Sequence, residues 1–246
     1  MALLSRKELH GAIRDDLADR NSWDTRQSMF YRMRHNGLRR KNKPWPGASD
    51  AHFPLSDTVI QRLAPFYFQQ MFATDLIAQF TPIRDKTTAY ANAAAQWFDY
   101  QLKQKSNIET EILSVIDFML MSGRAVIKTY WDHDKKRLVF QNIDPQHIIV
   151  PTWTRNLEDA DRIVHVQHYS EEAYRRNELF SQDEGLIKRI KGAGTDVRGD
   201  NIKVQAQYQR EGLTYNEEDY IIVWEVWCRD EDGSWYCETF SPLRPD

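Results

Sequence analysis

Cysteine is scarce in this chain: Cys228 and Cys237 are the only two among 246 residues. They flank an acidic turn, so they could lie on neighbouring strands of a hairpin, and both a disulfide and a pair of thiols stay open. The absence of a secretion signal favours thiols, because a reducing compartment is then the default. Zinc would need two further ligands, and none stands at the usual spacing. Long apolar runs are also missing: none approaches the roughly 20 residues that span a bilayer. Met1 to Arg6 lacks the apolar core of a signal peptide, so neither membrane insertion nor secretion is expected.

Catalytic signatures are equally sparse. There is no Gly-x-Ser-x-Gly elbow, no His-Glu-x-x-His and no glycine-rich dinucleotide turn. Gly192-Ala193-Gly194 lacks both the Lys-Ser/Thr ending of a phosphate loop and a preceding strand. Asp230, Glu231 and Asp232 form an acidic cluster, but in a hairpin turn such residues serve turn chemistry, and calcium would need more oxygen ligands at fixed spacing. His165 and His168 stand three apart in an expected strand, which puts them on opposite faces and away from a shared metal. Asp132, His133 and Asp134 sit in an expected turn. With no nucleophile and base set, no metal and no cofactor is expected, and an enzyme is not the favoured reading.

What is present is apolar and aromatic material: 41% hydrophobic residues, 12% aromatic, eight Trp. A mean hydropathy of -0.69 adds a strongly polar surface, and the length suits one large or two modest domains. The net charge of -3 hides an asymmetry. Residues 1–43 hold eleven Lys or Arg against five Asp or Glu, whereas the remainder holds 22 against 31. The run Arg32, Arg34, Arg39, Arg40, Lys41, Lys43 could meet phosphates; the plainer reading is a solvated helix face and a charged loop. An acidic body argues against a general nucleic-acid-binding module. Arg39, Arg40, Lys41 and Lys43 are the candidate nucleic-acid contacts.

The element pattern predicts an α+β fold in three regions: a basic helical arm over 1–43, an α+β region over 44–168, and a helix, loop and hairpin over 169–246. Ser5 and Glu8 have capping-box spacing for a helix running to about Leu38, stopped at Asn36-Gly37 and broken near Asn21. Its apolar positions Leu9, Ile13, Leu17, Trp23, Phe30 and Met33 read as too sparse for a core face, so it is expected to form an arm or outer layer. Residues 43–50 form a structured loop. Pro44, Trp45, Pro46 and Gly47, with Phe53 and Pro54, are expected to anchor it by burial.

From Ser56 a helix carries Val59, Ile60, Leu63, Phe66, Tyr67, Met71 and Phe72, with a kink expected at Pro65. Such aromatic density points to packing between elements or subunits. Helices follow over 84–105 and 108–121, the second ended by Gly123. The period then switches to a hairpin, 125–131 against 138–140. Short strands are expected at 148–150 and 162–168, and Ser170 caps a helix 171–179. A helix fraying into a mobile loop covers 185–199, and a last hairpin pairs 220–228 with 234–240.

The stretch Pro44-Trp45-Pro46-Gly47-Ala48-Ser49-Asp50, followed by His52-Phe53-Pro54-Leu55, resembles the portal proteins of tailed phages. Also similar in order and spacing are Arg39-Arg40, the passage Met121-Ser122-Gly123-Arg124-Ala125-Val126-Ile127-Lys128-Thr129-Tyr130-Trp131, the stretch Asp144-Pro145 to Val150-Pro151, and Glu225-Val226-Trp227. The match covers most of 20–240 and is carried by structural residues.

The resemblance implies a portal-like fold with wing elements in 44–168 and an approach to a clip in 169–246. It implies a homo-oligomeric ring of about twelve copies at a capsid vertex of the virion, assembled in the host cytoplasm and not in a membrane. The implied partners are the major capsid and scaffolding proteins, the terminase motor, the tail adaptor and the double-stranded DNA passing through the channel. Portals are about twice this length, which would place a returning stem helix, tunnel loop and crown beyond Asp246. A wall that does not grip DNA would suit such a channel. Competing expectations are a head-completion or tail adaptor ring without the channel, and a nucleic-acid-processing enzyme using the basic stretch.

Overall fold

A computed structural model of the chain describes residues 5–34, 45, 55–82, 88–191, 220–230 and 232–243. By its contacts the chain forms two units, one of Met1–Arg32 with Gln146–Asp246 and one of Met33–Pro145. The fold is α+β, with every sheet pairing antiparallel.

The first unit is built on a four-stranded sheet in the order β3 (Ile148–Ile149), β4 (Arg162–Ser170), β5 (Tyr220–Arg229) and β6 (Trp235–Phe240). Both faces of its centre are covered, which is why β5 reads as a nearly continuous apolar run. One face carries Val164, Val166, Ile222, Trp224, Val226 and Phe240. Leu9 and Ile13 of the helix α1 (Arg6–Arg34) complete that core. On the other face Ile221 and Val223 pack with Tyr174 of α5 (Glu171–Arg176) and with Ile187 and Ile190 of α6 (Glu184–Ile190). The caps are those the sequence provides. Ser170 Oγ accepts the Ala173 N–H, and the Asp183 side chain accepts that of Gly185.

Helix α1 starts as its spacing predicts. The Ser5 N–H donates to Glu8 Oε2 at 2.8 Å and the Glu8 N–H to Ser5 Oγ at 3.4 Å. Two expectations are corrected. The helix runs unbroken through Asn21 to Arg34, and of the two alternatives, arm or outer layer, it is a layer packed on the sheet, since Leu9 and Ile13 are fully buried. The buried stripe was hard to see because polar residues hold some of its positions. Asp16 and Gln27 are buried alongside Leu9, Ile13 and Tyr31 at spacings of three, four and their sums.

Asp16 receives a fork from Arg162 on β4, Nε to Oδ2 at 2.7 Å and Nη2 to Oδ1 at 2.8 Å. One turn on, Arg20 donates to the carbonyls of Ile148 at 2.5 Å and Gln146 at 2.8 Å. The segment leading into the two-residue strand β3 is thereby fastened to the helix.

The second unit contains α2 (Leu55–Met71), α3 (Thr88–Tyr100), a π-helical turn Gln101–Lys105, α4 (Ile108–Ser122) and the hairpin β1 (Val126–Asp132) with β2 (Arg137–Ile143). Pro65 lies inside α2 without ending it. The helix expected over 84–105 is α-helical only to Tyr100. Gly123 ends α4 at φ +73°, its N–H donating to the Met119 carbonyl at 2.9 Å.

In the hairpin turn, Asp132 Oδ1 accepts the N–H groups of Lys135 at 2.9 Å and Asp134 at 3.1 Å. The Lys135 bond is the main reason its carboxyl pKa lies below the usual value. Ser106 Oγ donates to the Leu138 carbonyl, and the Asn142 N–H donates to Glu111 Oε2 at 2.8 Å. The hairpin is thus tied to the helices by its backbone. The helix expected over 171–179 stops at Arg176, where Asn177 turns to extended backbone. The turn 230–234 is closed by the Gly233 N–H on the Asp230 carbonyl, with Gly233 at φ +75°.

In β5 and β6, Trp227 faces Cys237 and Cys228 faces Tyr236, so the thiols project to opposite sides of the sheet and a disulfide would break the register. Cys228 is buried, which raises its pKa, while Cys237 is exposed. Iodoacetamide on the folded protein should label Cys237 fully before Cys228, with both labelled in urea. For the ion pair, Asp16→Ala strands a buried guanidinium and should cost about 3–5 kcal/mol in urea unfolding. Asp16→Leu with Arg162→Met should lose less than that single change.

Candidate assembly surface

Helix α2 carries two apolar stripes with different fates. Ile60 and Ala64, four apart, are buried on the side that packs with α4. Leu55, Val59, Leu63 and Phe66 recur at intervals of four, four and three, so they form a second stripe. That stripe is open: Leu55 is 73% exposed, Val59 and Phe66 53%. Tyr67 and Met71, which continue the spacing of Ile60 and Ala64 towards the end of the helix, are exposed as well. On α3 only Ala95 is buried, whereas Tyr90, Trp97 and Tyr100, at intervals of seven and three, are exposed. Exposed apolar side chains scattered singly are ordinary, but stripes of them on successive helices of one unit mark an interaction surface.

The stripe is presented by a polar clamp. Arg34, the last residue of α1 and a member of the second unit, forks to Asp117 of α4 at 2.6 and 2.7 Å through Nη1 and Nη2. Its Nε donates to Asp57 of α2 at 2.9 Å. The Asp117 bonds lead in holding its pKa above the ordinary guanidinium value, and the Asp57 bond adds to them against the opposing effect of burial. One planar cation therefore sets how α2 lies on α4. The clamp was not apparent in the sequence, where Arg34 reads as part of a basic run.

A second cluster lies on the first unit's sheet. Glu225 accepts Gln167 Nε2 at 2.5 Å and Trp227 Nε1 at 2.7 Å, with His165 Nδ1 at 3.7 Å. Gln167 Nε2 also lies 3.1 Å from His165 Nδ1, and the Tyr169 hydroxyl donates to Gln167 Oε1. This brings a buried imidazole beside a carboxylate, yet the only hydroxyl in the chain of bonds is spent on an amide oxygen. Among the described residues the cluster is a hydrogen-bond network without a nucleophile. His168 projects to the other face, as the strand period requires, and its ring lies 4.9 Å from that of His147.

Of the other residues singled out from sequence, Trp45 is 64% exposed instead of packed into a core. Arg39, Arg40, Lys41, Lys43, Pro44, Pro46, Gly47, Phe53 and Pro54 lie outside the described residues. Among the described residues no group of three or more His, Cys, Asp or Glu is placed to hold a metal ion. Among the same residues no helix is long and apolar enough to cross a membrane. No protein-family model and no curated protein matches the chain.

Arg34→Met should cost about 1.5–3 kcal/mol, the range for charged hydrogen bonds. Hydrogen exchange should show the added opening in α2 and α4 rather than in the sheet of the first unit.

Proposed function

We propose that this chain is a structural subunit of a phage portal ring, one copy of a homo-oligomer of about twelve at a capsid vertex. In this reading the ring forms the channel for genome packaging and ejection and the attachment point for the terminase motor and the tail adaptor. It assembles in the host cytoplasm with the major capsid and scaffolding proteins. Support comes from the order and spacing of the portal-like segments at 39–55, 121–131, 144–151 and 225–227. The observation that carries the reading is the open apolar stripe of α2 with its neighbour on α3. A head-to-tail interface between copies closes into a ring by rotation, and burying such stripes is what drives association. Arg39, Arg40, Lys41 and Lys43 are the proposed contacts to the double-stranded DNA in the channel.

Native mass spectrometry at moderate salt tests this. A discrete species near twelve subunit masses is expected. The pair Val59→Asp and Phe66→Asp, both on the exposed stripe, should yield monomer with an unchanged melting temperature. A wild-type chain that stays monomeric at all concentrations would overturn the assembly role of this surface. A discrete ring that survives both substitutions would move the interface elsewhere.

A further inference from the structure

At the β6 edge of the first unit's sheet, beside α5 and α6, there is a cleft of about 270 Å³. Its floor is apolar, formed by Phe180, Leu186, Ile190 and Phe240. The floor is held in place independently of any occupant. Phe180 stacks on Tyr174 at 4.8 Å and meets Tyr169 edge-on at 5.3 Å. Behind it, Arg175 bridges Glu171 at 2.9 Å and Glu184 at 2.7 Å, and Lys191 donates to Glu171 at 2.8 Å, bracing α5 and α6 together. The volume lies near the lower end of small-ligand sites, about 300–1,000 Å³, and a preformed apolar floor with few polar groups is the usual composition of such sites.

The mouth supplies the polar selection. Among the described residues that line it, Arg6 is the only charged one, and Thr239 and Ser241 add hydroxyls. Arg6, which bonds Glu238 through Nε at 3.2 Å, is thereby held at the edge of the cleft it lines. A planar guanidinium suits carboxylates. Leu179, also on the lining, is 92% exposed and would lie along an apolar chain that emerges from the cleft.

We propose that this cleft binds a small aliphatic carboxylate, its hydrocarbon on Phe180, Leu186, Ile190 and Phe240 and its carboxylate on Arg6. The assignment is independent of the ring reading, since no residue of α2 or α3 takes part.

Calorimetric titration of the full chain with octanoate tests it, with octylamine as the equal-length cation. Octanoate should bind saturably at one site per chain, and octylamine should not. Arg6→Gln should weaken octanoate binding about ten-fold, while Arg14→Gln, on the exposed side of α1, should leave it unchanged. Leu186→Trp fills the floor and should abolish binding. Thr239→Trp closes the mouth from an exposed strand position and should do the same even if the first variant folds poorly, with circular dichroism confirming its fold. Equal affinity for octylamine, an unaltered affinity in Arg6→Gln, retention of binding in a folded Thr239→Trp, or no saturable binding of octanoate would each overturn the proposal.

Discussion

The pair Asp16–Arg162 is the constraint around which the first unit is organised. Two charges held with almost no solvent access are tolerated only when the geometry is good and their remaining hydrogen-bonding capacity is used. Here the guanidinium meets both carboxylate oxygens, and its plane also lies 5.7 Å from the ring of Trp153. A hydrophobic helix face could slide over a sheet by a turn at little cost, because apolar contact is not directional. The fork cannot slide. With Asp16 fixed on β4, Leu9 and Ile13 must fall over Trp224 and Val226, and Arg20 must reach the carbonyls of Gln146 and Ile148. A strand of only two residues, β3, keeps its place because the chain just before it is hooked to the helix.

The local grammar of the fold was legible in sequence where a single residue type has a single physical use. Ser5 with Glu8, Gly123 after an apolar helix, Ser170 before α5 and the two hairpins all appear where their chemistry puts them. The burial of α1 was not legible. Its inward stripe includes Asp16, Gln27 and the half-buried Arg20, so a count of apolar positions alone finds a weak face. A three-and-four spacing that admits an acid and a base as members would have shown the stripe, though not the partner Arg162, which lies 146 residues away. The aromatic surplus around Phe66 and Tyr67 was legible as material for packing, and the structure leaves it on the surface of the second unit. The Arg34 clamp was hidden by its company, since a cation within a basic run gives no sign that it faces inward.

The two units handle apolar material differently. The first buries it on both sides of a sheet and holds its charged groups there in hydrogen-bonded sets, Asp16 with Arg162 and Glu225 with Gln167 and Trp227, while the buried Trp224 indole N–H has no hydrogen-bond partner among the described residues. An acid in a strand centre is expensive only if its oxygens lack donors. Glu225 has donors from its own strand and from the neighbouring one, so its oxygens are not left bare. The second unit fixes its helices with a cation clamp and with backbone ties to the hairpin, and leaves large apolar side chains facing outward.

In α2 the residues that hold the helix, Ile60, Ala64 and the Asp57 contact to Arg34, occupy one side. Leu55, Val59, Leu63 and Phe66 occupy another, and their exposure means that their contribution to the stability of the isolated chain is small. Selection for solubility alone would replace such residues with polar ones, because among the described residues of this unit none covers them. Four large apolar residues kept in register over three turns of one helix are therefore best explained by a surface that covers them. The helix thus carries two separable stripes, one that docks it on α4 and one that, in the ring proposed above, would meet another copy.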